Sequence, residues 1–220
     1  MDSGKDNNKV DRRSLRKQRE FEAHRREILE AAERVFGSAG FHEATVEEIA
    51  GEAGFSVGTL YNFFAGKEEL YQEVIRSVAE GFMEAFDREV AGQEDPAEAV
   101  RRLIGLRLRY YRQHRGIFRV FLQADKLAVR SADSLPNNCR ALHERYTSEV
   151  TGILWKGIEE KVFDEFDPVY LMLSLEGVIN AFIRYWTRFE VPEDVEERIE
   201  LFQEDFVERI KIKVRGSDGK

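Results

Sequence analysis

The chain has 220 residues, 42% hydrophobic and 35% charged, which is apolar enough to bury one large core or two small ones and too apolar for a disordered polymer. It contains no run of about 18 uncharged apolar residues, so no membrane partner is expected, and the polar, charged Met1–Val10 is not expected to serve as a secretory leader. A single cysteine, Cys139, excludes an internal disulfide and favours a reducing, cytoplasmic setting; it reads as a buried inert thiol, with a redox sensor as the alternative.

The formal net charge of −8 argues against a polyanionic partner, but the charge is unevenly placed. Residues 9–26 hold eight Lys and Arg against three acids, a net +5 that leaves −13 for the rest of the chain. Such a molecule approaches DNA by its basic end and holds its acidic body away. A solvated tail is the plain alternative for the same run. Residues 1–20, with Arg12, Arg13, Arg16, Lys17 and Arg19, are expected to form a flexible basic arm.

Four prolines and scarce strand-like alternation predict an all-α chain. The first helix is expected over 21–38, where Ile28, Ala31, Ala32, Val35 and Phe36 share one face. Gly40 supplies a left-handed stop, and Phe41 can fold back onto the helix. Thr45-Val46-Glu47-Glu48 has the form of a capping box opening a short helix over 46–53, which Gly54 breaks. Ser56 can cap a second short helix to residue 63, and Lys67 opens a long one towards residue 90. Asp95-Pro96 and Asp167-Pro168 each place a cap before a proline at the first helical position, starting helices over 96–114 and 167–189. Between them a shorter helix is expected over 117–129 and a long one from Pro136 through 161; the last runs from Pro192 to 214, leaving 215–220 as a tail.

Two short helices joined by a tight turn require specific residues, and 45–64 supplies them. Ile49 and Ala53 are apolar towards a core, Ala50 is small where the second helix crosses, and Gly54 suits a positive φ. Phe55, Leu60 and Phe63 can pin the second helix. An ordinary helical hairpin satisfies much of the same pattern.

The segment 44–70, ATVEEIAGEAGFSVGTLYNFFAGKEEL, resembles the DNA-binding domain of the tetracycline-repressor (TetR) family. The resemblance is carried by Thr45, Ile49, Ala50, Ala53, Gly54, Ser56, Gly58, Leu60, Tyr61, Phe64, Lys67 and Leu70. It implies an N-terminal three-helix helix-turn-helix domain over 21–66 and a helical effector-binding and dimerisation domain over 67–214. It also implies a homodimeric repressor that leaves a palindromic, double-stranded operator when a small hydrophobic effector binds. In this family resemblance Ser56, Val57, Gly58 and Thr59 enter the major groove, with Asn62 beside them. Thr45, Tyr61 and Lys67 meet phosphates, and Arg16 and Arg19 reach flanking phosphates or the minor groove. Two departures stand out: Phe63 sits where members often carry a polar residue, and Glu47 where some carry a base.

The helix at 167–189 is apolar on almost every side and is expected to be buried all round. Its Gly177, Ala181 and Tyr185, with Phe202 and Phe206 of the last helix, are expected at the dimer interface; a purely intramolecular core is the alternative. Arg107, Tyr110, His114, Phe118, Phe121, His143, Trp155, Glu176 and Asn180 are candidate liners of an effector pocket. No phosphate loop, metal-ligand spacing or nucleophile elbow is present, so no enzyme, cofactor or metal is expected. A helical adaptor that has lost DNA binding remains a second class.

Overall fold

The computed structural model describes residues 4–124, 139–189 and 194–211, with side chains from residue 13 onward except those of 121–124. The helices are α1 (Gly4–Ala39), α2 (Val46–Ala53), α3 (Val57–Tyr61), α4 (Lys67–Glu89), α5 (Pro96–Gln113), α6 (Arg115–Ala124), α7 (Arg140–Glu159), α8 (Pro168–Arg188) and α9 (Val195–Ile210). The described residues contain no strand, only an isolated antiparallel bridge between Phe163 and Lys211. The chain divides into two compact units, Met1–Ser77 and Val78–Lys220.

The first unit is built on the α1 stripe. Ile28, Ala31, Ala32 and Phe36 recur at helical spacing and are completely buried. α1 stops where expected: Gly40 has φ +86° and its N–H donates to the Phe36 carbonyl at 2.9 Å, a left-handed end that other residues adopt at a cost of about 1 kcal/mol or more. Phe41 then returns to lie 5.9 Å from Phe36, ring to ring. The helix starts differently from expectation, at Gly4 and not near residue 21, so residues assigned to a separate arm continue the same helix. The first half of α4 also belongs to this unit, beyond the expected boundary at 66. Leu70 and Val74 are buried, and Tyr71 meets the rings of Phe36 at 5.4 Å and Phe41 at 5.0 Å.

That packing leaves the Tyr71 hydroxyl buried with no hydrogen-bond partner among the described residues, and burial pushes its pKa up to about 12. A buried hydroxyl without a partner opposes folding by about 1–3 kcal/mol. Tyr71→Phe is therefore expected to stabilise the unit by about 1 kcal/mol at neutral pH. The folded chain holds this proton more tightly than the unfolded one, so stability is fully present below the ordinary value of 10.0 and falls as pH rises towards 12. Urea melts of both proteins at neutral pH and above pH ~10 check this; a variant less stable at neutral pH would refute it.

The second unit packs α5, α7, α8 and α9 around one core. Asp95 and Asp167 cap as expected, their Oδ1 atoms accepting from Ala97 N at 2.9 Å and Val169 N at 2.8 Å, each with proline at the first helical position. α5 buries Val100, Leu103, Ile104 and Leu108, and α7 buries Tyr146, Val150 and Leu154. α7 ends on a feature absent from the expectations. The amides of Val162 and Phe163 both donate to Gly157 O, at 2.9 and 3.0 Å, and Lys161 takes a left-handed φ of 58°. This folds Phe163 back so that its ring covers the Gly157 backbone and is 1% exposed. α7 is described from Arg140 and α6 to Ala124; the expected helical segments over 125–138 lie outside the described residues.

α8 corrects an expectation. It is buried on one face only, through Leu171, Leu175, Ile179, Ile183 and Trp186. Its other face exposes Tyr170, Leu173, Gly177, Val178, Ala181 and Tyr185, with Tyr170 at 62%. Apolar residues all round a helix mean burial within one chain only when that chain has enough core to cover both sides, and this one covers one.

Candidate nucleic-acid interface

α2 and α3 form the expected pair of short helices. At the start of α2, Thr45 Oγ1 accepts from Glu48 N at 3.2 Å, while Thr45 N donates to Glu48 Oε2 at 2.9 Å. The capping box is thus complete. The Thr45 hydroxyl also donates to Glu48 Oε2 at 3.0 Å, so the amide and the hydroxyl of Thr45 are both engaged by Glu48. Ile49 and Ala50 are buried, and Gly54 ends the helix with φ 74° and its N–H on the carbonyls of Ala50 and Gly51.

α3 follows after one turn. Ser56 Oγ accepts from Thr59 N at 3.0 Å and lies 2.8 Å from Thr59 Oγ1. Leu60 is fully buried and fixes the helix to the unit's core. Ser56 and Gly58 are exposed, and Val57 and Thr59 half-exposed. Tyr61 is 53% exposed and Asn62 is exposed beside it. A Cβ added at Gly58 would meet nothing nearer than Ser56 Oγ at 3.8 Å. The fold therefore has room for a side chain there, and glycine's helix penalty of about 1 kcal/mol is unexplained within the chain.

Three residues make contacts whose partners the sequence did not specify. Phe63 stacks on Phe21 of α1 at 4.5 Å and 27°, which gives the aromatic ring at this position a packing role. Lys67 Nζ donates to His42 O and Ala44 O, both at 3.1 Å, and lies 4.9 Å from the Phe41 ring. Two of its three N–H groups thus brace the α1–α2 connection, a structural part alongside the phosphate contact expected of it. Arg25, counted in the basic run, turns inward to pair with Glu73 and to lie 5.2 Å from the Phe64 ring centroid. Hydrogen bonding from Arg76, together with the charges of Arg76 and Arg25, holds the Glu73 carboxyl below its usual pKa against the opposing effect of burial. Arg16 and Arg19 stay exposed, Arg16 pairing with Glu20 at 3.2 Å.

The second unit brings together three of the candidate effector residues. Arg107 Nη2 donates to Glu176 Oε2 at 2.9 Å and to Asn180 Oδ1 at 3.3 Å. The Tyr146 hydroxyl donates to the other Glu176 oxygen, a partner that was not among the candidate effector residues. The Arg107 and Glu176 side chains are 13% and 17% exposed. The guanidinium lies against two rings, Tyr146 at 5.5 Å and Phe82 at 5.7 Å. Burial pushes the Tyr146 phenol well up, reinforced by the Glu176 charge and opposed by Arg107. For Arg107 burial acts downward, and the charge of Glu176 more than offsets it.

The other candidates are dispersed. Tyr110 donates to Val78 O at 2.9 Å and lies 4.4 Å from the His114 ring. Phe118 packs on Tyr111 at 5.5 Å. His143 is half-buried on α7. Trp155 is 53% exposed and faces away from the core, because it falls one residue past the buried stripe Tyr146, Val150, Leu154. The Phe121 side chain lies outside the described residues. Among the expected dimer residues, Gly177, Ala181 and Tyr185 are exposed. Phe206 is 9% exposed and Phe202 packs on Phe182 at 4.8 Å, so these two serve the chain's own core; Leu201, at 64% exposure, is the apolar residue that α9 leaves open. Among the described residues no cluster of three His, Cys, Asp or Glu can hold a metal, and no helix is long and apolar enough to cross a membrane.

A capped five-residue helix with its first turn exposed, anchored by Leu60 and crossing a glycine-terminated neighbour, defines a helix-turn-helix DNA-binding regulator. Residues 28–74 match the model for bacterial regulatory proteins, tetR family. The HTH-type transcriptional regulator HbdR of Aromatoleum sp. (strain CIB) is 25% identical over 194 residues, covering 84% of this chain and 82% of HbdR. The HTH-type transcriptional regulator RutR of Escherichia coli (strain K12) is 26% identical over 200 residues, covering 89% and 91%. The crystal structure of the TetR family transcriptional regulator PfmR from Thermus thermophilus superposes with a TM-score of 0.67 at 28% identity, covering 82% of this chain and 97% of that one. Residues 28–74 thus carry a tetR-family DNA-binding domain, and along most of its length the chain is similar to transcriptional regulators. These relatives are regulators and not enzymes.

Proposed function

We propose that the protein is a cytoplasmic, homodimeric repressor that reads a palindromic operator with Ser56–Thr59 and is released by a small effector held in its helical unit. The observation that carries the reading is Gly58. It occupies an exposed first turn, the chain has room for a side chain there, and a bare backbone at that point suits close approach to a base edge in the major groove. Val57 suits a thymine methyl and Thr59 a base edge or phosphate, with Tyr61 and Asn62 beside the backbone. One domain covers a half-site, and two-fold pairing presents two at about 34–36 Å. The exposed apolar face of α8 and Leu201 of α9 support pairing with a second copy. The family's members bind DNA, pair as dimers and take small ligands. The Arg107–Glu176–Tyr146–Asn180 network supplies the few convergent polar groups that such a ligand site needs.

Gly58→Leu separates fold from function. The variant is expected to melt at or above the wild-type temperature, because it removes a helix glycine in open space. Its affinity for DNA upstream of its own gene should fall at least tenfold, about 1.4 kcal/mol, within the range of one base contact. Unchanged affinity in a folded variant refutes the reading end. In the same assay Ala181→Arg should sediment as a monomer and lose affinity in parallel; a persistent dimer would move the interface elsewhere.

A further inference from the structure

A second site lies in the helical unit, apart from the Arg107 network. Arg115 and Arg119 of α6, Arg188 at the end of α8, and Phe189, Trp186, Thr187 and Tyr111 line a pocket of about 210 Å³. None of these residues belongs to the network around Glu176. Among the described residues its lining holds three guanidiniums and no carboxylate, in a chain of net charge −8. Its floor is aromatic and fixed. Tyr111 and Trp186 are 1% and 6% exposed, with rings stacked at 6.4 Å and 26°. Thr187 gives its only proton to Ile183 O at 2.7 Å, so at 2.8 Å the Tyr111 hydroxyl donates to Thr187 Oγ1. Neither hydroxyl proton is left for a ligand, and the arginines are the pocket's charged donors.

The charges act on the floor as well. Burial pushes the Tyr111 phenol up, and its bond with Thr187 and the positive fields of Arg115 and Arg119 oppose that shift. The guanidinium is a planar fork of N–H groups matched to carboxylate or phosphate oxygens. A carboxylate brings one charge and two oxygens against three positive charges in the lining. A phosphate or diphosphate brings about two or more charges and at least three oxygens. The volume is below the roughly 300–1,000 Å³ of pockets that enclose a whole drug-sized ligand, so the pocket suits a headgroup whose remainder extends outward. Phe189, 52% exposed at the rim, offers an apolar surface for that remainder.

We propose that this pocket binds the phosphate headgroup of a small organic phosphate. Inorganic pyrophosphate is the probe, titrated calorimetrically into the full chain, with tryptophan emission followed in parallel in a Trp155→Phe background so that Trp186 reports alone. Saturable binding at one site per chain is expected, with a change in Trp186 emission. Arg115→Gln with Arg119→Gln, both exposed positions, should weaken it at least tenfold, and Arg188→Gln alone should weaken it severalfold. Arg16→Gln with Arg19→Gln, in the DNA-binding unit, should leave it unchanged. Absence of saturable binding overturns the proposal. So does binding that survives the loss of Arg115 and Arg119, or that disappears with Arg16 and Arg19. Binding is read on the free protein, so a failure here is distinct from a failure of operator recognition.

Discussion

Glu176→Leu is expected to destabilise the helical unit by about 3–5 kcal/mol, the range for breaking a buried ion pair from one side. The loss does not measure the attraction between Arg107 and Glu176. It measures what is left behind: a guanidinium 13% exposed whose carboxylate partner is gone, and a Tyr146 hydroxyl without its acceptor. Removing both charges and the hydroxyl together should therefore be far milder. Arg107→Met, Glu176→Leu and Tyr146→Phe combined are expected to regain most of the stability, since a buried pair exchanged for apolar groups of similar volume is often neutral or better. Chemical denaturation of the single and triple variants checks both statements. A single variant within about 1 kcal/mol of wild type would mean that water reaches the pair. The same triple variant separates folding from signalling: a stable protein that binds its operator and no longer responds to effector places the ligand's polar contacts on this network.

Phe163→Ala is expected to remove about 3–5 kcal/mol, the usual loss for a fully buried aromatic truncated in a core that collapses only in part. Phe163 lies outside any helix, yet it is 1% exposed and covers Gly157, where an added Cβ would overlap its ring. Gly157→Ala should thus be destabilising as well, by about 1–3 kcal/mol from overpacking. The two effects should not add, because once the ring is gone the alanine has room. Thermal melts of the two single variants and the double test this; additive losses would show that the ring and the glycine act separately.

The contrast between these residues shows what the sequence made legible. α2, α3 and their caps were readable because their determinants are local: Thr45 with Glu48, Gly54 with φ 74°, and Ser56 with Thr59 each act within three or four residues. Arg107, Glu176 and Asn180 were suggested as isolated polar groups on apolar helices, but their meeting needed the packing of α5 on α8, separated by 69 and 73 positions. Tyr146 gave no signal of its own, since an aromatic at helical spacing reads as plain core. Phe163 was invisible because burial of a loop residue depends on how α7 ends, at a left-handed Lys161, and no periodicity announces that. Lys67 shows the limit in the other direction. Its place in a known motif suggested a phosphate contact, while its bonds to His42 and Ala44 reveal a brace that sequence spacing does not encode.

The continuity of α1 bears on how the basic run can meet DNA. An α-helix with side chains is about 10–12 Å across, whereas the minor groove is only about 6 Å wide. Arg16 and Arg19, carried on that cylinder, cannot be threaded into the groove as an extended arm can. If α1 keeps its helical form from Gly4 onward, any contact its cations make at the minor groove is with the sugar–phosphate ridges, adding strength and salt sensitivity and no base preference there. Reading A·T-rich flanks would require those turns to unwind first, so any such preference would come with a measurable loss of helix on binding.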